Sequence, residues 1–98
     1  MAMAHLRVYT INKGMMDDWV KLFKETITPQ LERCGMSIEG TWVSEDRTQF
    51  IWVRGYGDTK KDVEEKEAAF YSSDWWKKNV DHIRSHIARP DITLMQSV

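Results

Sequence analysis

The chain has 98 residues, with 14 basic and 15 acidic side chains and a formal net charge of −1 at pH 7. This length predicts one domain over residues 1–98, and the interspersed charges do not give the basic surface of a nucleic-acid-binding protein. No apolar run reaches about 18 residues, so no membrane span is predicted. A start without the apolar core of a secretory signal, together with the single cysteine Cys34, predicts a cytoplasmic protein without an internal disulfide.

The first predicted elements are a strand and a long helix. Apolar and polar residues alternate over residues 6–12, which is typical of a strand, and Lys13-Gly14 ends it. Apolar residues then recur every three or four positions over residues 15–33, which predicts an amphipathic helix. Pro29 lies inside this pattern and predicts a kink or a division after Ile27 or Thr28.

Two further strands are predicted to form an antiparallel hairpin. Gly35 is a suitable stop for the long helix, and residues 36–44 and 50–56 flank a short polar turn at residues 45–47. In the earlier strand, simple alternation places Ile38, Gly40 and Trp42 on one face. In the later strand, alternation separates two faces, with Ile51 and Val53 on one and Phe50, Trp52, Arg54 and Tyr56 on the other.

The last third of the chain predicts two helices and a short strand. One helix begins after Gly57 with Asp58 or Thr59 as its cap, and its charged run over residues 60–67 is interpreted as a solvated face. After the Ser72-Ser73-Asp74 interruption, another helix is predicted over residues 75–88, followed by a strand at residues 92–95. The order β-α-β-β-α-α-β predicts an α+β, ferredoxin-like fold with a four-stranded antiparallel sheet and helices on one side.

The sheet is predicted to need a partner on its other side. Leu6, Val8, Ile51 and Val53 form an apolar set that the helices of one chain do not cover. Burying four such side chains is worth on the order of 6–10 kcal/mol before entropic costs. This favours a homodimer formed by sheet-to-sheet packing, and Trp19 and Trp42 are interpreted as packing residues.

Several motifs resemble those of a known family. The opening Leu6-Arg7-Val8-Tyr9-Thr10-Ile11-Asn12-Lys13-Gly14 resembles the LRxYTxxxG start of NIPSNAP-family proteins, and Gly40-Thr41-Trp42, residues 52–56 and residues 70–75 follow in the expected order. The resemblance covers about residues 6–95. It implies a dimeric α/β barrel in which two ferredoxin-like sheets pack face to face. The superfamily includes cofactor-free monooxygenases, heme-degrading enzymes, isomerases and proteins with no known reaction, so the resemblance implies the fold more firmly than the chemistry.

The resemblance also implies a ligand pocket between the sheet and the helices. Guanidinium groups beside aromatic rings suit a flat anionic or phenolic ligand, and the ligand-binding candidates are Arg7, Trp52, Arg54 and Trp76. The candidate proton carriers are Tyr9, Tyr56 and His82. In the alternative interpretation, Arg7 and Arg54 pair with Glu39 or with surface carboxylates, and the aromatic residues are plain core.

The histidines give only weak indications of a site. His82 and His86 share one helix side but lack a third ligand at motif spacing, so solvent-facing histidines are favoured over a metal site. His5 precedes the first strand near the terminus and lies on the Arg7 side. No metal or cofactor is predicted.

Two functions remain open at this point. One is a homodimer that binds a small hydrophobic or aromatic molecule, with anionic ligands included, and that acts as a cofactor-independent monooxygenase or an isomerase. The alternative is a non-catalytic interaction or ligand-carrier dimer. Because Arg54 lies between two aromatic residues on an inward face, Arg54→Ala is predicted to weaken ligand binding more than it lowers stability.

Overall fold

The computed structural model describes residues 2–98. Its elements are β1 (Met3–Ile11), α1 (Met16–Leu22), a π-helical segment (Phe23–Ile27), α2 (Thr28–Arg33), β2 (Ser37–Val43), β3 (Gln49–Gly57), α3 (Lys60–Tyr71), α4 (Asp74–Arg84) and β4 (Ile87–Gln96). The strands form one antiparallel sheet in the order β2-β3-β1-β4. The predicted α+β, ferredoxin-like arrangement is therefore confirmed. None of the helices described in residues 2–98 has both the length and the apolar character needed to cross a bilayer.

The long first helix passes through Pro29 without a break. Proline has no N–H and its ring clashes with the carbonyl four residues earlier. The chain accommodates this with a wider turn, in which the N–H of Thr28 bonds the carbonyl of Phe23 five residues before it. The predicted irregularity after Ile27 or Thr28 is thus a π-helical segment. Gly35, with φ of 86°, then ends α2 as predicted.

The boundary between the last helix and the last strand differs from the prediction. The helix α4 ends at Arg84, and β4 begins at Ile87 and runs for 10 residues. Pro90 therefore lies inside a strand, opposite Tyr9. An edge strand tolerates proline because one row of its N–H groups has no partner strand. The prediction of a helix to residue 88 and a strand of only four residues was wrong.

The two faces of β1 and β3 are covered differently. In β1 the odd-numbered residues are buried and the even-numbered ones are half-buried. The buried rows face the helices, where Trp19, Phe23 and Leu31 complete the core. On the other face, which we call the open face, the apolar pairs are half-buried and lie in register, Leu6 opposite Val53 and Val8 opposite Ile51. The predicted division of the faces is confirmed, and the pairing of two sheets stays a prediction.

An irregularity in β2 changes the face on which its residues lie. The register shifts between Ile38 and Gly40, so Ile38 is opposite Arg54 while Trp42 is opposite Ile51 on the open face. The prediction that Ile38 and Trp42 share a face was therefore wrong. The packing role predicted for Trp42 also fails within one chain, because Trp42 is 56% exposed. Its ring lies over Gly40, where an added Cβ would come within 2.4 Å of the ring.

Candidate functional site

A cavity of about 390 Å³ lies between the buried face of the sheet and the helices. Its wall is largely apolar and includes residues of all five helical segments and of strands β1, β3 and β4. Ile92 is 48% exposed, so the side next to the edge strand β4 is the least covered. The lining residues are Arg7, Tyr9, Trp19, Phe23, Ile27, Leu31, Trp52, Arg54, Phe70, Tyr71, Trp76, Ile83, Arg84, Ile87, Pro90 and Ile92.

Five of the seven predicted site residues lie together on this wall. These are Arg7, Tyr9, Trp52, Arg54 and Trp76. Tyr56 is buried but is not part of the cavity lining, and His82 is exposed on α4 and is not part of it either. The roles assigned to all seven from the sequence stay predictions.

The Arg54 guanidinium contacts two tyrosine hydroxyls and one carboxylate. Its Nε donates to the Tyr56 hydroxyl at 2.8 Å, and its Nη2 donates to the Tyr71 hydroxyl at 3.0 Å. The same Nη2 lies 3.7 Å from a carboxylate oxygen of Glu67. The guanidinium carbon also lies 5.6 Å from the centre of the Trp52 ring. Arg54 is therefore a buried cation whose charge is balanced by a carboxylate, and the predicted alternative partner Glu39 instead bonds Ser37.

Arg7 is equally buried but has no salt bridge within the described residues. Its Nη1 donates to the Tyr9 hydroxyl at 2.8 Å, and its Nη2 donates to His5 Nδ1 at 3.1 Å and to the Tyr71 hydroxyl at 3.4 Å. Burial tends to lower the pKa of Arg7, but the oxygens of Tyr9 and Tyr71 raise it above its usual value. The guanidinium therefore keeps its charge on the wall of an apolar cavity.

His5 is held as a neutral imidazole. A guanidinium can only donate, so Nδ1 of His5 is the acceptor towards Arg7 and the ring proton lies on Nε2. Burial, and then the positive charges of Arg7 and Arg54, lower the pKa of His5 from 6.5 to about 4, and Glu67 opposes this shift. His5 lies within β1 and is buried, rather than near a loose end of the chain as the sequence had indicated.

Tyr56 links Arg54 to His5 and Glu67. Its hydroxyl accepts from Arg54. Its single hydrogen has two acceptors at 2.8 Å, a carboxylate oxygen of Glu67 and the unprotonated Nδ1 of His5. Burial raises the pKa of Tyr56, as does the bond to Glu67, although Arg54 and Arg7 act in the opposite direction. The phenol therefore holds its proton firmly and links the other groups.

We call these linked side chains the polar cluster; its members are His5, Arg7, Tyr9, Arg54, Tyr56, Glu67 and Tyr71. Two members are positive and one is negative, and His5 is neutral near pH 7. The cluster thus has one positive charge in excess, on Arg7. Among residues 2–98, the cavity lining includes no carboxylate, imidazole, amine or thiol. The arrangement therefore suits an anionic group more than a cation.

Sequence reasoning missed two members of the polar cluster. Glu67 was assigned to a solvated charged face, and Tyr71 was not considered. Both lie on the inner side of α3, because positions 63, 67, 70 and 71 follow helical spacing and Val63 and Phe70 are buried. That spacing was the available signal. Glu67 lies one helical turn from each of the apolar residues Val63 and Phe70, so its side chain is on the side of the helix that faces the sheet.

His86 also differs from its prediction. It is 4% exposed, its Nδ1 lies 2.9 Å from the carbonyl oxygen of His82, and its ring centre lies 5.9 Å from that of Trp19. The prediction that both histidines face solvent is therefore wrong for His86 and correct for His82. No group of three side chains suited to holding a metal occurs among residues 2–98.

The protein is thus a ferredoxin-like α+β protein, and the cavity between its sheet and its helices is large enough to hold a small molecule. A family model described as NIPSNAP matches residues 4–98. The chain therefore belongs to the NIPSNAP family, as the motif resemblance had predicted. A search of curated proteins gave no match.

Solved structures show the same fold at low sequence identity. A NIPSNAP family protein from Agrobacterium tumefaciens strain C58 is 21% identical, with a TM-score of 0.87 and coverage of 100% of this chain and 94% of that one. An uncharacterized NIPSNAP domain protein from Burkholderia xenovorans is 10% identical, with a TM-score of 0.86 and coverage of 98% and 94%. A putative antibiotic biosynthesis monooxygenase from Nitrosomonas europaea is 15% identical, with a TM-score of 0.76 and coverage of 99% and 90%.

Proposed function

We propose that this protein is a homodimer in which each cavity binds a small hydrophobic or aromatic anion. The observation that carries the proposal is Arg7, a guanidinium that is 5% exposed, has no salt bridge among the described residues and lies on an apolar cavity wall. A buried charge without a counter-charge is costly. An anionic ligand would supply that counter-charge, while the surrounding rings contact its apolar part.

The size and surface of the cavity support a compact, ring-shaped ligand. A volume of about 390 Å³ lies at the lower end of the range of roughly 300–1,000 Å³ that small-molecule pockets span. Trp52, Phe70 and Trp76 contribute aromatic faces to the wall. Aromatic pairs add stabilisation beyond the apolar area that they bury, so flat aromatic anions are favoured over branched aliphatic ones.

The open face supports the dimer. It carries Leu6, Val8, Ile51 and Val53 in two aligned pairs, with Trp42 next to Ile51. Five adjacent apolar side chains on one sheet face are typical of an interaction surface. A twofold pairing of two such sheets would bury them and leave the helices and the cavity on the outside of the dimer.

The composition of the wall bears on whether the protein is an enzyme. Within residues 2–98, the hydroxyls of Tyr9 and Tyr71 are the lining groups most able to exchange a proton, because the lining includes no carboxylate, imidazole, amine or thiol. This favours a ligand that is already ionised when it binds. A cofactor-independent monooxygenase or isomerase acting on such an anion is one form of the proposal, and a ligand carrier is the other.

The sequence predicts that both Arg7 and Arg54 bind the ligand, and we propose that Arg7 is the stronger anchor. Arg54 already faces Glu67, whereas Arg7 faces no carboxylate. We expect Arg7→Gln to weaken the binding of 2-naphthoate about 10-fold or more, since a hydrogen bond to a charged group contributes roughly 1.5–3 kcal/mol. Isothermal titration calorimetry measures this affinity, and thermal melting measures stability.

Two further variants sharpen this experiment. Arg54→Gln removes the buried cation that balances Glu67, and we expect it to lower the melting temperature more than Arg7→Gln does. Lys61→Gln removes a positive charge from an exposed helix position and should leave the affinity unchanged. Equal naphthoate affinity in wild type and Arg7→Gln, or no binding of any aromatic anion by the wild type, contradicts the proposal and favours the interaction dimer.

A further inference from the structure

Several donor hydrogens of the cavity-lining residues have no acceptor in the described part of the chain. The hydroxyl oxygens of Tyr9 and Tyr71 accept from guanidinium N–H groups, and neither hydroxyl has a protein acceptor for its own hydrogen. Three buried nitrogens, Nε of Arg7 and Nε1 of Trp19 and Trp52, have no hydrogen-bond partner at all. Most buried polar groups in proteins are paired, so three unpaired buried nitrogens among the lining residues of one cavity are unusual. The two tyrosine hydrogens add to this excess of donors.

The same wall has no side-chain acceptor to spare. Its polar lining residues are arginines, tryptophans and tyrosines, and arginine and tryptophan side chains only donate. The two tyrosine oxygens are the side-chain acceptors, and both already receive N–H groups from Arg7 or Arg54. The wall therefore has more hydrogen-bond donors than acceptors. The two guanidinium groups donate to the phenol oxygens, and the phenol hydrogens are left without an acceptor.

We infer that the ligand of this cavity ends in a group that accepts hydrogen bonds and donates none, such as a carboxylate, an enolate or a ketone oxygen. This inference rests on the proposed function and specifies the polar end of the ligand. Arg7 and Trp52 are directly opposite each other on β1 and β3, and Tyr71 approaches from α3, so the accepting group lies between them. The three unpaired nitrogens have almost no accessible surface, so they reach the accepting group only if their side chains rotate, whereas the tyrosine hydrogens need only rotation of the hydroxyl.

The inference predicts that the cavity prefers a neutral ligand without a donor hydrogen over a neutral ligand of similar shape that has one. The matched probes are 2-acetonaphthone, which only accepts, and 1-(2-naphthyl)ethanol, which has nearly the same shape but adds an O–H. In the cavity that O–H finds no free side-chain acceptor, and leaving a buried donor unpaired is unfavourable. We expect the ketone to bind about 5-fold more tightly than the alcohol, as measured by calorimetry at one ionic strength.

Two variants each remove one donor and keep an aromatic side chain. Trp52→Phe replaces the indole with a smaller phenyl ring, and Tyr71→Phe also removes the oxygen that accepts from Arg7 and Arg54. In Trp52→Phe and Tyr71→Phe, we expect the affinity for 2-naphthoate and for the ketone to fall about 3- to 10-fold. Trp76→Phe is the matched control, because it makes the same change of ring on the same wall and Trp76 Nε1 is not one of the three buried unpaired nitrogens. It should change the affinity for ketone and alcohol by the same factor, which leaves their ratio at the wild-type value.

The outcomes separate this inference from the proposed function. If ketone and alcohol bind equally while Arg7→Gln still weakens naphthoate binding, the acceptor-only inference is overturned and the anion-binding function stands. The same holds if Trp52→Phe and Tyr71→Phe act on the ligands no differently from Trp76→Phe. If the wild type binds none of the three probes, the proposed function and the inference both fail.

Discussion

At the level of single residues, Arg7 and Arg54 show how neighbours decide the role of a side chain. Both are buried on the same face of adjacent strands, and both guanidiniums lie within 6 Å of the Trp52 ring centre. Of the two arginines, only Arg54 lies within 4 Å of the Glu67 carboxylate on α3. One arginine is thus part of a balanced network, whereas the other keeps an excess charge that a ligand can use.

His5 gives the cluster a defined pH dependence. Its pKa is about 4 in the folded protein, compared with an ordinary value of 6.5. Between these two values the unfolded chain binds more protons than the folded protein, so stability is present at pH 7 and is lost as the pH falls towards 4. The size of this loss is on the order of 3 kcal/mol. Urea denaturation at pH 7, 6, 5 and 4.5 measures it.

His5→Gln is the control for this prediction. A glutamine oxygen can accept from Arg7 but does not titrate, so the variant should lose less stability than the wild type over the same pH window. The acidic residues of the protein contribute equally to both profiles. Superimposable profiles for wild type and variant would show that His5 is not the responsible group.

At the level of elements, the start of α3 depends on a reciprocal pair of hydrogen bonds. The Thr59 hydroxyl accepts from the backbone N–H of Asp62, and the Asp62 carboxylate accepts from the N–H groups of Thr59 and Asp58. Thr59→Ala removes one half of this capping box and should lower the free energy of unfolding by about 1 kcal/mol. Chemical denaturation measures the change.

Asp58→Ala is the matched comparison for the cap. Asp58 contributes its backbone N–H to this pair of bonds, and the substitution leaves that group in place. We expect a loss of less than about 0.5 kcal/mol, typical of a surface change. Equal losses in the two variants would refute the assignment of the cap to Thr59, which the sequence alone left open between these two residues.

The element order was predictable from the sequence, and the errors have local physical causes. Alternation and helical spacing identified the strands and helices, including the irregularity before Pro29. The helix α4 was extended too far because Ile87 continues its apolar spacing, although pairing with Ile11 places Ile87 in β4. The face of Trp42 was wrong because a register shift at Ile38 and Gly40 depends on pairing with β3 and leaves no local sequence signal.

The candidate site was predictable where the periodicity of a single element determines it, as for Trp76 on α4. Arg7, Tyr9, Trp52 and Arg54 follow from alternation along β1 and β3. The difference between the two arginines does not, because it depends on Glu67, which comes from a helix packed across the sheet. The charge of the site depends on contacts between segments that are distant in the sequence. The residue spacing within one segment cannot predict such contacts.

At the level of the whole molecule, the open face predicts the assembly. We expect a dimer at micromolar concentration in sedimentation experiments, because one chain leaves Leu6, Val8, Ile51 and Val53 only half-buried and Trp42 exposed. Val8→Lys places a charge at the centre of this face, where burial without a partner is unfavourable. The variant should therefore sediment as a monomer.

A lysine elsewhere on the surface serves as the control for this assembly prediction. Ala69→Lys adds the same charge at an exposed position of α3 and should leave the sedimentation coefficient at the wild-type value. A wild-type protein that stays monomeric at micromolar concentration, or a Val8→Lys variant that remains dimeric, would contradict the sheet-to-sheet pairing.

The strand β1 contributes to both proposed properties, ligand binding and dimer formation. Its odd positions bear His5, Arg7 and Tyr9, and its even positions bear Leu6 and Val8. A one-residue insertion or deletion in this segment would exchange the two sets. Charged groups would then be presented to the neighbouring subunit, and aliphatic groups to the ligand. We therefore expect insertions and deletions in β1 to be far more damaging than single substitutions, because one shift disrupts ligand binding and dimer formation at once.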